Sequence, residues 1–372
     1  MTEIILAIFF ITVLLLFLSS GVWVALSMIG VSAIAMELFT SRPVGDAMAT
    51  TIWGMSSSWT LTALPLFVWM GEILFRTKLS ENLFEGLSPW MQKLPGGLIH
   101  VNVVGCAIFA AISGSSAATV ATVGKMSIPE LRKRNYPEKI LLGSLAGSGT
   151  LGLLIPPSII LIIYGVTVQE SIAKLFIAGI FPGIMIAIIF MTYVVIWSLM
   201  NKDKMPVLTE EIPFIEKIKK SGKLIPVILL IVSVIGSIYS GVATATEAAS
   251  LGVVGALILS FFQKSLTIDS FKKSLLGATK TSCMIGFILA GSTFLSLAMG
   301  FTGLPRNLAI WIDTMQLSPY ILIIVLMIFY IILGMFLDGI SAVVLTMAII
   351  EPMIRQAGFD MIWFGIFLVV VV

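Results

Sequence analysis

The chain of 372 residues is 58% hydrophobic and only 11% charged, against roughly 25% charged in soluble domains, which excludes a soluble globular fold. Its formal charge of +3 is concentrated in loops between apolar runs, a mark of membrane topology rather than of nucleic-acid binding. Two cysteines in apolar segments and a single histidine exclude a disulfide framework and a His/Cys metal centre; His100 reads as a satisfied polar group near a helix start.

In chain order, apolar runs of the length that a bilayer core requires predict an all-α polytopic membrane protein. The first half, residues 1–200, offers spans near 4–18, 21–38, 61–75, 98–112, 117–128, 139–166 and 175–199. Its opening run is too long for a cleaved signal peptide and has no basic segment before it. A polar linker over residues 201–223 follows, and the second half, 224–372, offers spans near 224–239, 245–262, 283–299, 319–337, 339–351 and 361–372. Amphipathic stretches at Pro43–Trp53, Leu79–Met91, Ile268–Lys280 and Pro305–Met315 suit helices lying at the membrane interface.

The segments 98–112 and 117–128 are each short for a full crossing and are separated by Ser113-Gly114-Ser115-Ser116. Residues 98–128 are therefore expected to form a re-entrant helical hairpin, and residues 319–351 a second one opening to the other side. With that topology eighteen Lys and Arg residues lie inside and only Arg42, Lys174, Arg306 and Arg355 outside, the asymmetry that the positive-inside rule requires. It places the N-terminus outside and starts the two halves on opposite sides. A shift of 223 residues lays Pro129 on Pro352 and Gly114-Ser115-Ser116 on Leu337-Asp338-Gly339. An inverted-topology repeat is expected, with ion and substrate sites at broken helices near the midplane.

Three places carry the chemistry. At Ser113–Ser116, glycine allows the turn while serine hydroxyls and half-helix carbonyls supply hard oxygens suited to sodium; small-residue helix packing is the alternative. Gly147–Ser158 contains Pro156-Pro157, which removes two amide donors and breaks the predicted helix 139–166, either as part of a site with Ser158 or as a structural kink. Asp338 is an acid inside an apolar hairpin, where charge is costly; it serves a cation, caps the helix beginning at Gly339, or does both. Thr244-x-x-Glu247 has capping-box spacing. Arg306 either grips a carboxylate or anchors a helix at the interface.

The runs Gly114-Ser-Ser-Ala-Ala-Thr-Val-Ala, Leu151-Gly-Leu-Leu-Ile-Pro-Pro-Ser-Ile-Ile-Leu-Ile-Ile-Tyr-Gly165, Ala243-Thr-Ala-Thr-Glu-Ala-Ala249 and Leu333-Gly-Met-Phe-Leu-Asp-Gly339 resemble the large membrane subunit of tripartite ATP-independent periplasmic (TRAP) transporters. The resemblance covers the whole chain, with Ala245 and Ala348 where the family often has proline. It implies a multi-pass, elevator-type carrier of the bacterial inner membrane with a periplasmic N-terminus and no enzymatic activity. Sodium is the implied coupling ion, with no other cofactor. A small four-helix membrane subunit and a periplasmic binding protein that delivers an organic acid, of the sialic acid or C4-dicarboxylate type, are the implied partners. It places the ion and substrate positions on the Gly114–Ser116 tip, the Pro156-Pro157 break and the Asp338 hairpin. Together with the residue reading above, the expected sodium residues are Ser113, Gly114, Ser115, Ser116, Gly152, Pro156, Asp338 and Gly339, and the expected substrate residues Ser116, Thr119, Pro157, Ser158, Arg306 and Ser341.

A stand-alone sodium–carboxylate symporter of similar fold shares these features and differs in needing no partner. An intramembrane protease needs a nucleophile with a base, or two facing aspartates, whereas no histidine is near the serines of the tip and Asp338 has no evident acidic partner within an apolar segment. The first half has a Pro-Pro break whose repeat counterpart falls beyond Val372, so the natural chain is expected to continue with a second such break, a further half-helix and at least one more span.

Overall fold

A computed structural model describes residues 2–77, 79–206, 213–304, 307, 318–335 and 337–372. Their regular structure is all helical, with no strand among them. The first half begins with α1 (Thr2–Ser19), α2 (Val24–Phe39), α3 (Val44–Ser56), α4 (Ala63–Phe75) and α5 (Leu79–Met91). It continues with α6 (Ile99–Ser113), α7 (Ser116–Lys133), α8 (Glu138–Gly149), the single turn α9 (Leu151–Leu154), α10 (Ile159–Thr167) and α11 (Ile172–Met200). The linker carries α12 (Phe214–Ser221), and the second half carries α13 (Ile225–Tyr239), α14 (Ala245–Phe262), α15 (Ile268–Thr302), α16 (Pro319–Gly334), α17 (Gly339–Gln356) and α18 (Met361–Val371).

Six stretches of the described residues are long and apolar enough to cross a membrane, or seven if the pair Val44–Ser56 and Trp59–Phe75, bent by 55°, counts as one span. The expected amphipathic helices at 43–53 and 79–91 correspond to α3 and α5. The one expected at 268–280 is not separate. It is continuous with the span at 283–299 in the 35-residue α15. Thr267 and Ser270 cap its start reciprocally, each hydroxyl accepting from the other's backbone N–H at 3.0 and 2.9 Å. No glycine or proline follows between Lys280 and Met284 to end the helix. At ~1.5 Å per residue, α15 runs to about 52 Å, well beyond a hydrocarbon core of about 30 Å, so the amphipathic segment is an overhang of the span. The stretch 305–315 lies, apart from Asn307, outside the described residues.

Two compact units organise the chain, and each interleaves the two halves. One comprises Met1–Leu61, Ile162–Leu175 and Thr281–Val372, the other Thr62–Leu161 and Phe176–Lys280. In the first unit, Gly291 of α15 lets that helix approach the backbone of α2, where a Cβ would lie 2.7 Å from the Ala25 carbonyl oxygen. Met36, Phe294 and Ala298 pack there as a buried cluster. Within the second unit, Gly252 of α14 sits against Met70 of α4, and Phe67 meets Phe176 edge to face.

Candidate functional site

The turn between α6 and α7 is built by two residues. Gly114 caps α6 in the left-handed conformation, φ 58°, with its N–H donating to the Ala110 carbonyl. A side chain there would be strained, and a Cβ would lie 2.5 Å from the Pro157 carbonyl oxygen. Ser115 follows in extended conformation and caps α7, its hydroxyl accepting from the Ala118 N–H at 3.4 Å.

Three oxygens gather at this tip. The Ser113 and Thr119 hydroxyls lie 2.8 Å apart, Thr119 donates to the Ser115 carbonyl at 2.7 Å, and Ser113 Oγ is 3.3 Å from the same carbonyl. Thr119 is fully buried and Ser113 nearly so. The last carbonyls of α6 also lack helical partners, as at any helix end. All these donors are neutral oxygens, a set that suits a hard cation and not a soft transition metal. No group of three His, Cys, Asp or Glu side chains able to hold a metal exists among the described residues.

The broken stretch between α8 and α10 closes over the tip. Gly152 faces it so closely that a Cβ would lie 2.7 Å from the Ser115 carbonyl oxygen and 2.8 Å from Thr119 Oγ1. Ile159, the first residue of α10, donates its N–H to the Gly114 carbonyl at 3.2 Å. Buried Ser158 donates to the Leu153 carbonyl and accepts from the Leu161 N–H at 3.4 Å. Its hydroxyl thus bridges the gap that Pro156 and Pro157 leave in the ladder. Pro156 turns its ring toward α11 at Gly179.

The structure therefore brings together Ser113, Gly114, Ser115, Ser116, Thr119, Gly152, Pro157 and Ser158, with Pro156 behind them. Asp338, Gly339 and Ser341 belong to the other unit. There Asp338 is exposed and caps α17, accepting from the Ser341 N–H at 3.3 Å. Ser341 is buried. Arg306 lies outside the described residues. The capping box at Thr244 and Glu247 is present in both directions. His100 is fully buried and donates from Nε2 to the Pro95 carbonyl at 2.8 Å, while its Nδ1 has no partner among the described residues.

Sequence reading missed one neighbour of the tip, Gly71, and an acid on another face of the same helix, Glu72. Gly71 of α4 lies directly against Ser113, and Glu72, paired with Arg76 at 3.0 Å, is an acid within an apolar helix. A short polar pair four residues apart in α4 was the available signal for Glu72. Nothing in the sequence singles out Gly71.

Residues 11–372 match the profile of the tripartite ATP-independent periplasmic transporter, DctM component. Among similar proteins is the C4-dicarboxylate TRAP transporter large permease protein DctM of Pseudomonas aeruginosa, 33% identical over 91% of this chain and 78% of that one. The 2,3-diketo-L-gulonate TRAP transporter large permease protein YiaN of Escherichia coli is 32% identical over 87% of this chain and 76% of its own. The sialic acid TRAP transporter large permease protein SiaM of Vibrio cholerae is 28% identical over 94% and 81%. With a match over nearly its whole length and relatives above 30% identity, the chain belongs to the DctM family of TRAP transporter large permeases.

Proposed function

We propose that this permease imports an organic acid coupled to sodium, receiving it from a periplasmic binding protein and working with a small four-helix membrane subunit in the bacterial inner membrane. The observation that carries this reading is the cluster of Ser113 Oγ, Ser115 O and Thr119 Oγ1 at a helix–turn–helix tip closed by a proline-broken helix. Neutral oxygens beside helix C-terminal carbonyls favour a monovalent hard cation.

The substrates named for the relatives, a C4-dicarboxylate, 2,3-diketo-L-gulonate and sialic acid, are all organic acids and support that class here. In this reading α6–α7 and α16–α17 are re-entrant hairpins of an inverted repeat moving in an elevator-type carrier, the N-terminus is periplasmic, and Asp338 with Ser341 serves the second hairpin's site.

Proteoliposomes containing this chain, the small subunit and the binding protein test the reading by omitting each in turn. Uptake that needs all three supports it; uptake by this chain alone would make it a stand-alone symporter.

A further inference from the structure

We propose that Gly71 is a positioning residue for the coupling ion, a fixed backstop that sets the last two carbonyls of α6. The inference rests on the reading of the Ser113–Thr119 tip as a sodium locus. A Cβ on Gly71 would lie 3.2 Å from Ser113 Cα, 3.4 Å from the Ser113 carbonyl oxygen and 3.6 Å from that of Ile112. These two carbonyls are among those that a helix C-terminus leaves free for a cation. The backbone of α4 is thus the floor on which they rest.

That floor is held from the far side. At about 100° per residue, Trp69 lies on the face of α4 opposite Gly71, roughly 160° away, and Glu72 lies on a flank, about 100° away. Trp69 donates from Nε1 to Ser274 of α15 at 3.4 Å and meets Phe271 edge to face. Glu72 packs onto α15 where residue 277 is glycine, its Oε2 only 2.7 Å from where a Cβ would be. Met70 fills a third side against Gly252 of α14. Held on these sides, α4 resists receding, so a methyl group at position 71 presses on the tip, whose Ser113 backbone must give by a few tenths of an ångström.

The test is sodium-induced thermal stabilisation of the full-length protein, measured with sodium chloride against potassium chloride, for Gly71→Ala, Ser113→Ala, Thr119→Val and Gly236→Ala. Gly236 lies in α13 with nothing within 4 Å of an added Cβ and controls for the general effect of alanine in a helix. Gly71→Ala is expected to raise the sodium concentration for half-maximal stabilisation about tenfold, the lower end for a residue that orients ligands, with Gly236→Ala unchanged. If Ser113→Ala and Thr119→Val shift while Gly71→Ala behaves as wild type, the backstop is overturned. Absence of any sodium-specific stabilisation of the wild type would instead overturn the tip site, and the backstop with it. Should Gly71→Ala not accumulate, Ser274→Ala removes the far-side hydrogen bond without touching the tip: a raised half-saturation supports the proposal, and an unchanged one overturns it.

Discussion

Ser115 and Asp338 hold the same position in two different helices. Each is the extended residue before an 18-residue helix, and each accepts a hydrogen bond from the backbone N–H three residues on, Ala118 for one and Ser341 for the other. Each helix carries a proline at its fourteenth residue, Pro129 and Pro352. One chain thus uses a hydroxyl and a carboxylate for one task, and the difference in charge is where their functions separate.

Asp338→Asn keeps a cap of equal quality while removing the charge, so the melting temperature is expected to stay near wild type while sodium-driven uptake falls severely. Asp338→Ala is expected to cost about 1 kcal/mol of stability as well. Thermal unfolding beside an uptake assay separates the two. Wild-type uptake by Asp338→Asn would leave capping as the residue's whole contribution.

At the first tip the hydroxyls of Ser113 and Thr119 touch each other, whereas the Ser115 hydroxyl is spent on the cap. Thr119→Val and Ser113→Ala are therefore expected to raise the sodium concentration for half-maximal uptake more than Ser115→Ala, whose main effect is a lost cap of about 1 kcal/mol. Sodium titration of initial uptake rates ranks the three. Equal sodium dependence in all of them would remove these hydroxyls from the site.

Gly152→Ala places a methyl group against the Ser115 carbonyl and Thr119 Oγ1, both on the tip that it closes. Overpacking of this kind costs about 1–3 kcal/mol. Gly143→Ala, on α8 with nothing within 4 Å of its added Cβ, is expected to leave both stability and transport intact. Melting temperatures of the two variants check this, and a stable, fully active Gly152→Ala would show that the closure in this structure is not needed.

Thr244→Ala removes the hydroxyl that accepts the Glu247 N–H and donates to its carboxylate. A loss of about 1 kcal/mol is expected at the start of α14, with unchanged sodium dependence of uptake. A shifted sodium titration would mean that Glu247 does more than cap.

Much of this was legible because it is local. Glycine between serines marked the tip, paired prolines marked the break, and the spacing of Thr244 and Glu247 gave the capping box, since each acts within one turn of chain. The break of α15 expected after Lys280 failed because amphipathic and apolar stretches differ in composition but not in helix propensity; nothing at Thr281-Ser282-Cys283 stops a helix. Gly71 was invisible for the opposite reason. Its meaning lies wholly in what α6 brings against it, and hydropathy does not reveal which small residue of a membrane helix a neighbouring backbone will approach.

The most direct measurement of the central claim is the initial rate of radiolabelled organic-acid uptake, with succinate and sialic acid as probes, into proteoliposomes holding both membrane subunits and supplied with the binding protein. The account predicts uptake above the level at equilibrium only with an inward sodium gradient, and none when potassium replaces sodium at the same concentration. Uptake that proceeds equally in potassium would contradict it.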